Sequence, residues 1–272
     1  MPDNDLPLRP VTVITGASSG IGRELSRVAA RHDEVLLVAR DRNSLDALAQ
    51  EIVARGGMAH VLACDLTSDG AVGIVMSHLS DQGLRCERLV NNAGFGLVGQ
   101  VHALGAGEQL ASIDLNVRCL TELTLAVLPG MVAAKSGGIL NVASVAAFLP
   151  GPGMAVYYAT KAYVQSFSEG LWAEMRLHGV RVTVLCPGPV NTGFLARATG
   201  GKSHAEASLL HLGVTQVAEA GWAGFMNGQL TVIPGISNRL VRAITRCMPR
   251  RLLALMVYRQ QSRRMAQTSA RP

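Results

Sequence analysis

A tyrosine, a lysine and a serine stand at a spacing suited to proton transfer at a substrate oxygen. Tyr157 and Lys161 share one face if 157–178 is helical, about 6 Å apart along the helix axis. A free tyrosine titrates near ~10, and a neighbouring ammonium favours the phenolate and lowers that pKa. Ser144 would then hold the substrate oxygen by a hydrogen bond. Taken alone, the tyrosine–lysine pair is equally compatible with an exposed helical contact.

A glycine-rich turn near the N-terminus supplies the second part of the pattern. The β-branched run 11–15 predicts a buried strand, and an apolar helical pattern follows over 20–31. Between them, Gly16 permits a tight turn, Gly20 a close approach to a pyrophosphate, and Gly22 close helix–strand packing. The helix N-terminus would offer N–H groups to the phosphates. A glycine turn that holds no ligand is the alternative.

Five sequence blocks occur in the order and spacing of the short-chain dehydrogenase/reductase family, and over about residues 10–235 the chain resembles that family. The blocks are the TGASSGIG run at 15–22, the NNAG run at 91–94, Ser144, the pair Tyr157 and Lys161, and Pro187 with Gly188. The resemblance implies a nicotinamide-dependent oxidoreductase. Composition and periodicity alone predict only a nucleotide-binding α/β domain. A second function stays open, an NADP(H)-binding redox-sensing or scaffolding module with little turnover.

The resemblance also implies which residues hold the cofactor. The phosphate turn comprises Gly16, Ser18, Ser19, Gly20, Ile21 and Gly22. The adenosine half is expected to meet Asp65, Leu66, Asn92, Ala93 and Gly94. The nicotinamide half is expected to meet Tyr157, Lys161, Pro187, Gly188, Val190 and Thr192. The alternative for Asp65 is a helix N-cap ahead of the predicted helix 68–81.

Four residues carry the implied reaction, a hydride transfer between nicotinamide C4 and a carbonyl or carbinol carbon. Tyr157 is the acid in reduction and the base in oxidation. Lys161 lowers its pKa and holds the nicotinamide ribose, and Ser144 orients the substrate oxygen and stabilises its developing charge. Asn116 matches the asparagine that helps to hold a water in a proton relay to Lys161. A mid-helix asparagine at a local kink is the alternative.

The end of the second predicted strand bears on the choice of nicotinamide. Ala39 stands where family members that use NAD typically carry Asp, and Arg40 follows it. A guanidinium can form a fork of hydrogen bonds to a 2′-phosphate, so the sequence favours NADP(H) over NAD(H), with Arg42 assisting. The alternative is that Arg40 is an ordinary solvated residue paired with Asp41.

The expected substrate walls are apolar. They comprise Phe95, Leu97, Ala146, Phe148, Leu149, Met154, Phe194 and Leu195. No basic residue among them would clamp an acid, so a lipophilic ketone, aldehyde or alcohol is the predicted substrate. The segment 193–212 is predicted to be a mobile lid. His204 and His211 lack a third ligand nearby, so no metal site is predicted.

The fold that must position these residues is predicted from alternating strand-like and helical runs. Strands are expected at 11–15, 35–39, 60–64, 88–91, 139–143, 181–186 and 230–233, and helices at 20–31, 42–55, 68–81, 114–134, 157–178 and 215–226. Such alternation predicts one α/β domain, Rossmann-type and doubly wound, with a parallel sheet covered by helices on both faces. The resemblance adds a seven-stranded order of 3-2-1-4-5-6-7.

Composition limits the remaining possibilities. The predicted organisation is a polar segment 1–9, a catalytic domain 10–234 and an Arg-rich helical extension 235–272. The five cysteines show no CxxC spacing and are expected to be reduced thiols of a cytoplasmic protein. Residues 1–9 contain no apolar signal segment, and no run of 18 uncharged apolar residues predicts a membrane-spanning helix.

The extension carries the positive charge of the chain. It holds nine arginines and no Asp, Glu or Lys, while the whole chain is +6, so the domain is mildly acidic and is not expected to bind nucleic acid. Arg239, Arg242, Arg246 and Arg250 would line one face of a helix. Its apolar face would either contact an anionic membrane or pack on the domain or a sister subunit. The family pairs the helices 114–134 and 157–178, which implies a homodimer or homotetramer.

Overall fold

Seven parallel strands form a single sheet in this computed structural model, which describes residues 8–190 and 212–269. In the last helix the side chains are described through Ser262, Gln260 excepted. The strands are β1 Arg9–Thr15, β2 Glu34–Ala39, β3 Ala59–Ala63, β4 Leu84–Asn91, β5 Gly138–Val142, β6 Arg181–Leu185 and β7 Thr231–Val232. Their order is β3-β2-β1-β4-β5-β6-β7, and every neighbouring pair is parallel. The predicted sheet order is therefore confirmed.

Helices connect the strands and cover the sheet. They are α1 Gly20–Ala29, α2 Arg42–Ala54, α3 Ala71–Asp81, α4 Ala106–Ile113, α5 Leu120–Ala134, α6 Ala155–Met175, α7 Val214–Met226, α8 Ile236–Cys247 and α9 Arg250–Ser269. Single 3₁₀ turns occupy Val101–Ala103, Val145–Phe148 and Arg176–His178, and a π-helical turn occupies Asp114–Cys119. The sequence did not predict α4, which lies between Gly105 and the π-helical turn.

Successive side chains of a strand point to opposite faces, and this separates two hydrophobic clusters. On one face Val13 packs with residues of α3, α5 and α6. On the other face Ile14 packs with residues of α1, α2 and α7, including Phe225, which is fully buried. Because both faces are covered, β2 is buried along its whole length, and this explains its uninterrupted apolar run.

One continuous helical run among the described residues, Ala106–Ala134, is long and apolar enough to cross a membrane by length and composition. It comprises α4, the π-helical turn and α5. Leu123, Val127 and Met131 belong to the hydrophobic cluster that packs on the sheet. We therefore assign this run to the core of the domain.

The C-terminal extension folds back as two helices. In α8, Thr245 is buried, while Ile236, Leu240 and Ile244 are 84%, 58% and 49% exposed. The expectation that an apolar face of the extension packs on the parent domain is therefore wrong for α8. The polar side of α8 faces the domain. On that side Asn238 lies against Gly188, and Arg242 contacts the Phe148 ring.

The last helix, α9, buries apolar side chains against the domain, unlike α8. In α9, Leu253, Val257 and Gln261 recur at every fourth residue and are buried. These three positions form one stripe along the helix, so α9 packs on the domain through that stripe. Leu252, Leu255 and Met256 of the same helix stay exposed.

Candidate active site

The carboxyl ends of β4 and β5 bring the predicted catalytic side chains together with α6. Ser144 follows β5 and caps the 3₁₀ turn Val145–Phe148, accepting a hydrogen bond from the Ala146 N–H (3.1 Å). Its hydroxyl also forms a hydrogen bond with the Tyr157 phenol. The phenol lies one turn of α6 before Lys161, whose ammonium is 5.9 Å from the centre of the Tyr157 ring.

Lys161 is buried, and its ammonium donates to the backbone carbonyl of Val142 at 2.8 Å. Burial lowers the pKa of Lys161 to about 8, since desolvation disfavours the charged form. Burial also raises the pKa of Tyr157, and the hydrogen bond from Ser144 opposes this only in part. Desolvation is therefore the largest influence on the phenol in this structure, and the lowering of the Tyr157 pKa by Lys161 stays a prediction. At neutral pH the phenol is protonated and is poised as a proton donor.

Asn116 lies in the π-helical turn and ties three segments together. Its amide oxygen accepts from the Phe95 N–H (3.0 Å), and its amide nitrogen donates to the Phe95 carbonyl (2.9 Å) and to Thr160 Oγ1 (3.0 Å). Single π-helical turns of this kind recur at functional sites. The geometry at Asn116 matches the local-kink interpretation, and the proton-relay role stays a prediction.

The glycine turn has the backbone shape that a pyrophosphate site needs. Gly16 and Gly20 have φ of +66° and +57°, a region that side chains disfavour. A Cβ on Gly22 would lie 2.3 Å from the Gly16 carbonyl oxygen. Ser19 precedes α1 without forming a side-chain cap, so the first N–H groups of that helix stay available to an anion. Ser18 and Ile21 lie in the same turn. These features fit the phosphates of a dinucleotide.

Asn92 supports the turn from the neighbouring strand. Its amide nitrogen donates to the Thr15 carbonyl at 2.9 Å, and the backbone N–H groups of Asn92 and Ala93 both donate to Thr15 Oγ1 at 3.0 Å. A Cβ on Gly94 would come within 2.8 Å of Asn116 Oδ1. The NNAG segment therefore links the phosphate turn to the catalytic side chains.

Arg40 lies at the edge where an adenosine 2′-substituent is expected. Its side chain is 67% exposed, and its guanidinium is 3.9 Å from a carboxylate oxygen of Asp65. The proposed local partner Asp41 is engaged elsewhere, since it caps α2 through Ser44. Arg42 pairs with Asp46 at 3.0 Å. Arg40 is therefore the more available of the two guanidiniums.

Asp65 does not cap the next helix. Its carboxylate accepts from the Thr67 N–H and hydroxyl at 3.0 and 2.7 Å, and these bonds hold the pKa of Asp65 below its usual range. The helix begins later, at Ala71, after Gly70 in a left-handed conformation. The N-cap alternative for Asp65 is thus wrong, because its oxygens form a local turn. Leu66 beside it is buried.

The segment after β6 borders the catalytic serine. The Pro187 carbonyl accepts from the Val145 N–H at 3.0 Å and from Ser144 Oγ at 3.4 Å. Gly188 lies against Asn238 of α8, since a Cβ on Gly188 would be 2.4 Å from that amide oxygen. Val190 packs partly against the core. The predictions for Thr192, Phe194, Leu195, His204, His211 and the lid before Leu212 lie outside the described residues.

A small cleft opens beside Tyr157. Its lining includes Leu97 and Met154 from the predicted walls, together with residues that the sequence did not single out, Val101, Leu104 and Val156. Phe95 and Phe148 lie outside this lining. The Phe95 backbone is bound by Asn116, and the Phe148 ring lies 5.2 Å from the Arg242 guanidinium. No group of three metal-binding side chains occurs in the part of the chain that the structure describes.

The chain is similar in sequence to known oxidoreductases. A family model described as short chain dehydrogenase matches residues 10–202. Sulfoacetaldehyde reductase 2 of Chromohalobacter salexigens is 36% identical over 202 residues, 73% of this chain and 80% of that protein. Oxidoreductase UcpA of Escherichia coli is 32% identical over 181 residues, 66% of this chain and 69% of that protein.

Solved structures agree over a longer span. A short-chain dehydrogenase from Sphingobium yanoikuyae, solved in complex with NADPH, is 32% identical with a TM-score of 0.77 and 96% coverage of both chains. The bulky-bulky ketone specific alcohol dehydrogenase from Comamonas testosteroni is 28% identical with a TM-score of 0.73, covering 97% of this chain and 96% of that one.

Proposed function

The chain belongs to the short-chain dehydrogenase family, and from that premise we propose that this oxidoreductase interconverts a carbonyl compound and a primary or secondary alcohol with NADP(H). The observation that carries the proposal is the grouping of Ser144, Tyr157 and Lys161, with a hydrogen bond between the serine hydroxyl and the phenol. A redox-sensing or scaffolding module is the weaker candidate, because cofactor binding without turnover would require no such grouping of serine, tyrosine and lysine.

The chain's own residues manage the proton and the substrate oxygen. Bound NADP(H) supplies or accepts the hydride. In reduction, Ser144 donates a hydrogen bond to the carbonyl oxygen, and the protonated phenol of Tyr157 transfers its proton to that oxygen as negative charge develops. The buried ammonium of Lys161 stabilises the phenolate left behind. In oxidation the same groups act in reverse.

We expect the substrate to have an apolar body, because Leu97, Leu104 and Met154 line the cleft beside Tyr157, together with the polar Gln109 and Ser112. The names of the relatives support the reaction class, since one names an aldehyde and another names bulky ketones.

The experiment that tests this function is NADPH oxidation with straight-chain aldehydes and methyl ketones of graded length. Each buried methylene contributes about 0.8 kcal/mol, so kcat/KM should rise about threefold to fourfold per added carbon until the cleft is filled. A rate that falls as the chain lengthens would exclude a lipophilic substrate. Absence of turnover with every carbonyl, despite tight NADPH binding, would favour the scaffolding candidate.

We also propose a homodimer or homotetramer in which α5 and α6 pair across a two-fold axis. Leu125 of α5 is 60% exposed and Tyr163 of α6 is 38% exposed. Burial of such apolar side chains drives association. A monomer mass at every concentration by light scattering would refute this assembly.

The extension suits contact with an anionic membrane surface. Ile236, Leu240 and Ile244 of α8 are exposed apolar residues, and the sequence of residues 235–272 contains nine arginines and no acidic residue. A second copy meeting this surface across a two-fold axis would bring arginines together, whereas anionic headgroups supply the opposite charge at about 1 kcal/mol per basic residue. We therefore propose a cytoplasmic enzyme that binds membranes peripherally.

Co-sedimentation with phosphatidylcholine vesicles, with and without phosphatidylserine, tests the contact. We expect salt-sensitive binding only to the anionic vesicles, and about a tenfold loss for Leu240→Asp because a charge enters the apolar face. The matched control is Leu177→Asp, since Leu177 is 85% exposed outside the extension and its variant should bind as the parent does. Equal losses for both variants, or no vesicle binding by the parent protein, would rule the membrane contact out.

A further inference from the structure

Two guanidinium groups of the C-terminal extension flank Phe148. The Arg242 guanidinium lies 5.2 Å from the centre of the Phe148 ring, and Arg250 Nη1 lies 3.5 Å from the Phe148 carbonyl oxygen. Phe148 ends the 3₁₀ turn that Ser144 caps. The extension therefore brings positive charge to the segment that follows the substrate-orienting serine.

The thiol of Cys186 is influenced by the charges of both Arg242 and Lys161. This buried thiol contacts the backbone N–H of Ser144. Burial raises the pKa of Cys186, and the positive charges of Arg242 and Lys161 both oppose that rise. Arg242 and Lys161 thus lie within electrostatic reach of the same buried thiol, which is beside Ser144.

No anion compensates this charge among the residues that the structure describes. Neither Arg242 nor Arg250 has a carboxylate within 4.0 Å there, and residues 235–272 contain no Asp or Glu. Arg242 is half-buried, unlike the exposed Arg239 and Arg246 of the same helix. A guanidinium that loses hydration without gaining an anion is destabilising, so the position favours binding of an anion.

The chemistry of the contact defines the anion. An arginine stacked on an aromatic face keeps its planar N–H edge available for two parallel hydrogen bonds. Carboxylate and sulfonate groups present two acceptor oxygens at the matching spacing. The Phe148 ring contacts the Arg242 guanidinium at 5.2 Å and leaves its N–H donors available.

We propose that Arg242, with Arg250 at the rim, anchors an acidic group of the substrate and so determines specificity. The substrate class is an aldehyde, ketone or alcohol whose apolar body carries a carboxylate or sulfonate away from the reacting carbon. This inference rests on the proposed oxidoreductase function. It differs from the sequence-based expectation that no basic residue borders the substrate, because α8 brings Arg242 to Phe148, one of the predicted walls, from a distant part of the chain.

The test compares an ω-oxo carboxylic acid with its methyl ester, which has the same chain without the charge. We expect the parent protein to prefer the acid, and Arg242→Met to lower kcat/KM for the acid about ten- to a hundredfold more than for the ester, mainly through KM. Arg242→Lys should recover part of the preference, since it keeps the charge but loses the fork of donors. Arg246→Met removes an exposed arginine one turn further along α8 and is the matched control, with the preference unchanged.

Two results would overturn the proposal. Equal losses for acid and ester in Arg242→Met would make the arginine a structural contact that holds α8 on the domain, and a parent protein without acid preference would leave no role for an anchor. Calorimetry with the saturated carboxylic acid of the same chain length, which lacks the reducible ω-oxo group, measures anion binding without turnover. Weaker binding of this acid by Arg242→Met than by the parent protein would support the anchor. If no carbonyl compound were reduced at the same time, only the proposed reaction would be refuted.

Discussion

Replacement of Tyr157 by phenylalanine lowers kcat for carbonyl reduction by about a hundred- to ten-thousandfold, the range that a positioned general acid contributes. The variant keeps the aromatic ring and its packing but loses the proton that the phenol transfers. Because burial raises the pKa of Tyr157, the phenol is protonated at neutral pH and serves as the donor in reduction. NADPH binding, measured by fluorescence titration, should stay within about threefold of the parent value because a hydrogen bond contributes only modestly to affinity.

Tyr158→Phe is the matched control for this variant. The Tyr158 ring is 6.0 Å from that of Tyr157, and its hydroxyl accepts a hydrogen bond from Gln261 at 3.4 Å. We expect a change in kcat of less than about tenfold, because loss of one hydrogen bond costs about 0.5–1.5 kcal/mol. If Tyr157→Phe kept near-parental kcat while Tyr158→Phe lost it, the proton donor would be the neighbouring phenol.

Replacement of Arg40 by alanine raises KM for NADPH by about ten- to a hundredfold, because one charge-assisted contact is worth about 1.5–3 kcal/mol. KM for NADH should change much less, since NADH has no 2′-phosphate to bind. The guanidinium is 67% exposed and only loosely paired with Asp65, so it is available to a phosphate. The measurement is initial rates with both cofactors at saturating substrate.

The control here is Arg42→Ala. It also removes a guanidinium near the end of β2, but Arg42 is already held by Asp46 at 3.0 Å. Its effect on KM for NADPH should therefore be smaller than that of Arg40→Ala. Equal KM values for NADPH and NADH in the parent protein would contradict the proposed preference for NADP(H).

The motifs in the sequence identify the family, and the resemblance to that family supplies the order of the sheet. The strands and the phosphate turn are encoded locally, because apolar runs such as Val35–Val38 favour strands, Gly16 and Gly20 have positive φ, and Gly22 allows a close approach to Gly16. The same local signals identified Ser144, Tyr157 and Lys161, which the structure brings to one place. Their roles in catalysis remain predictions.

Other parts of the site could not be predicted, because they depend on contacts between residues distant in the chain. The sequence indicated that an ammonium near Tyr157 lowers its pKa, whereas packing around the phenol decides the outcome and burial raises it. The Val101 and Leu104 side chains enter the cleft because the segment before α4 folds over Tyr157. No local pattern marks these residues as part of a substrate wall.

The arrangement of the C-terminal extension depends on tertiary contacts more than on its own sequence pattern. Its sequence predicts an amphipathic helix of arginines and apolar residues, and by itself favours an apolar face turned inward. The structure turns Thr245 and Arg242 inward and leaves Leu240 exposed, because Phe148 offers a ring to the guanidinium. Helical periodicity specifies which residues share a face, but the surface that receives the helix determines which face is buried.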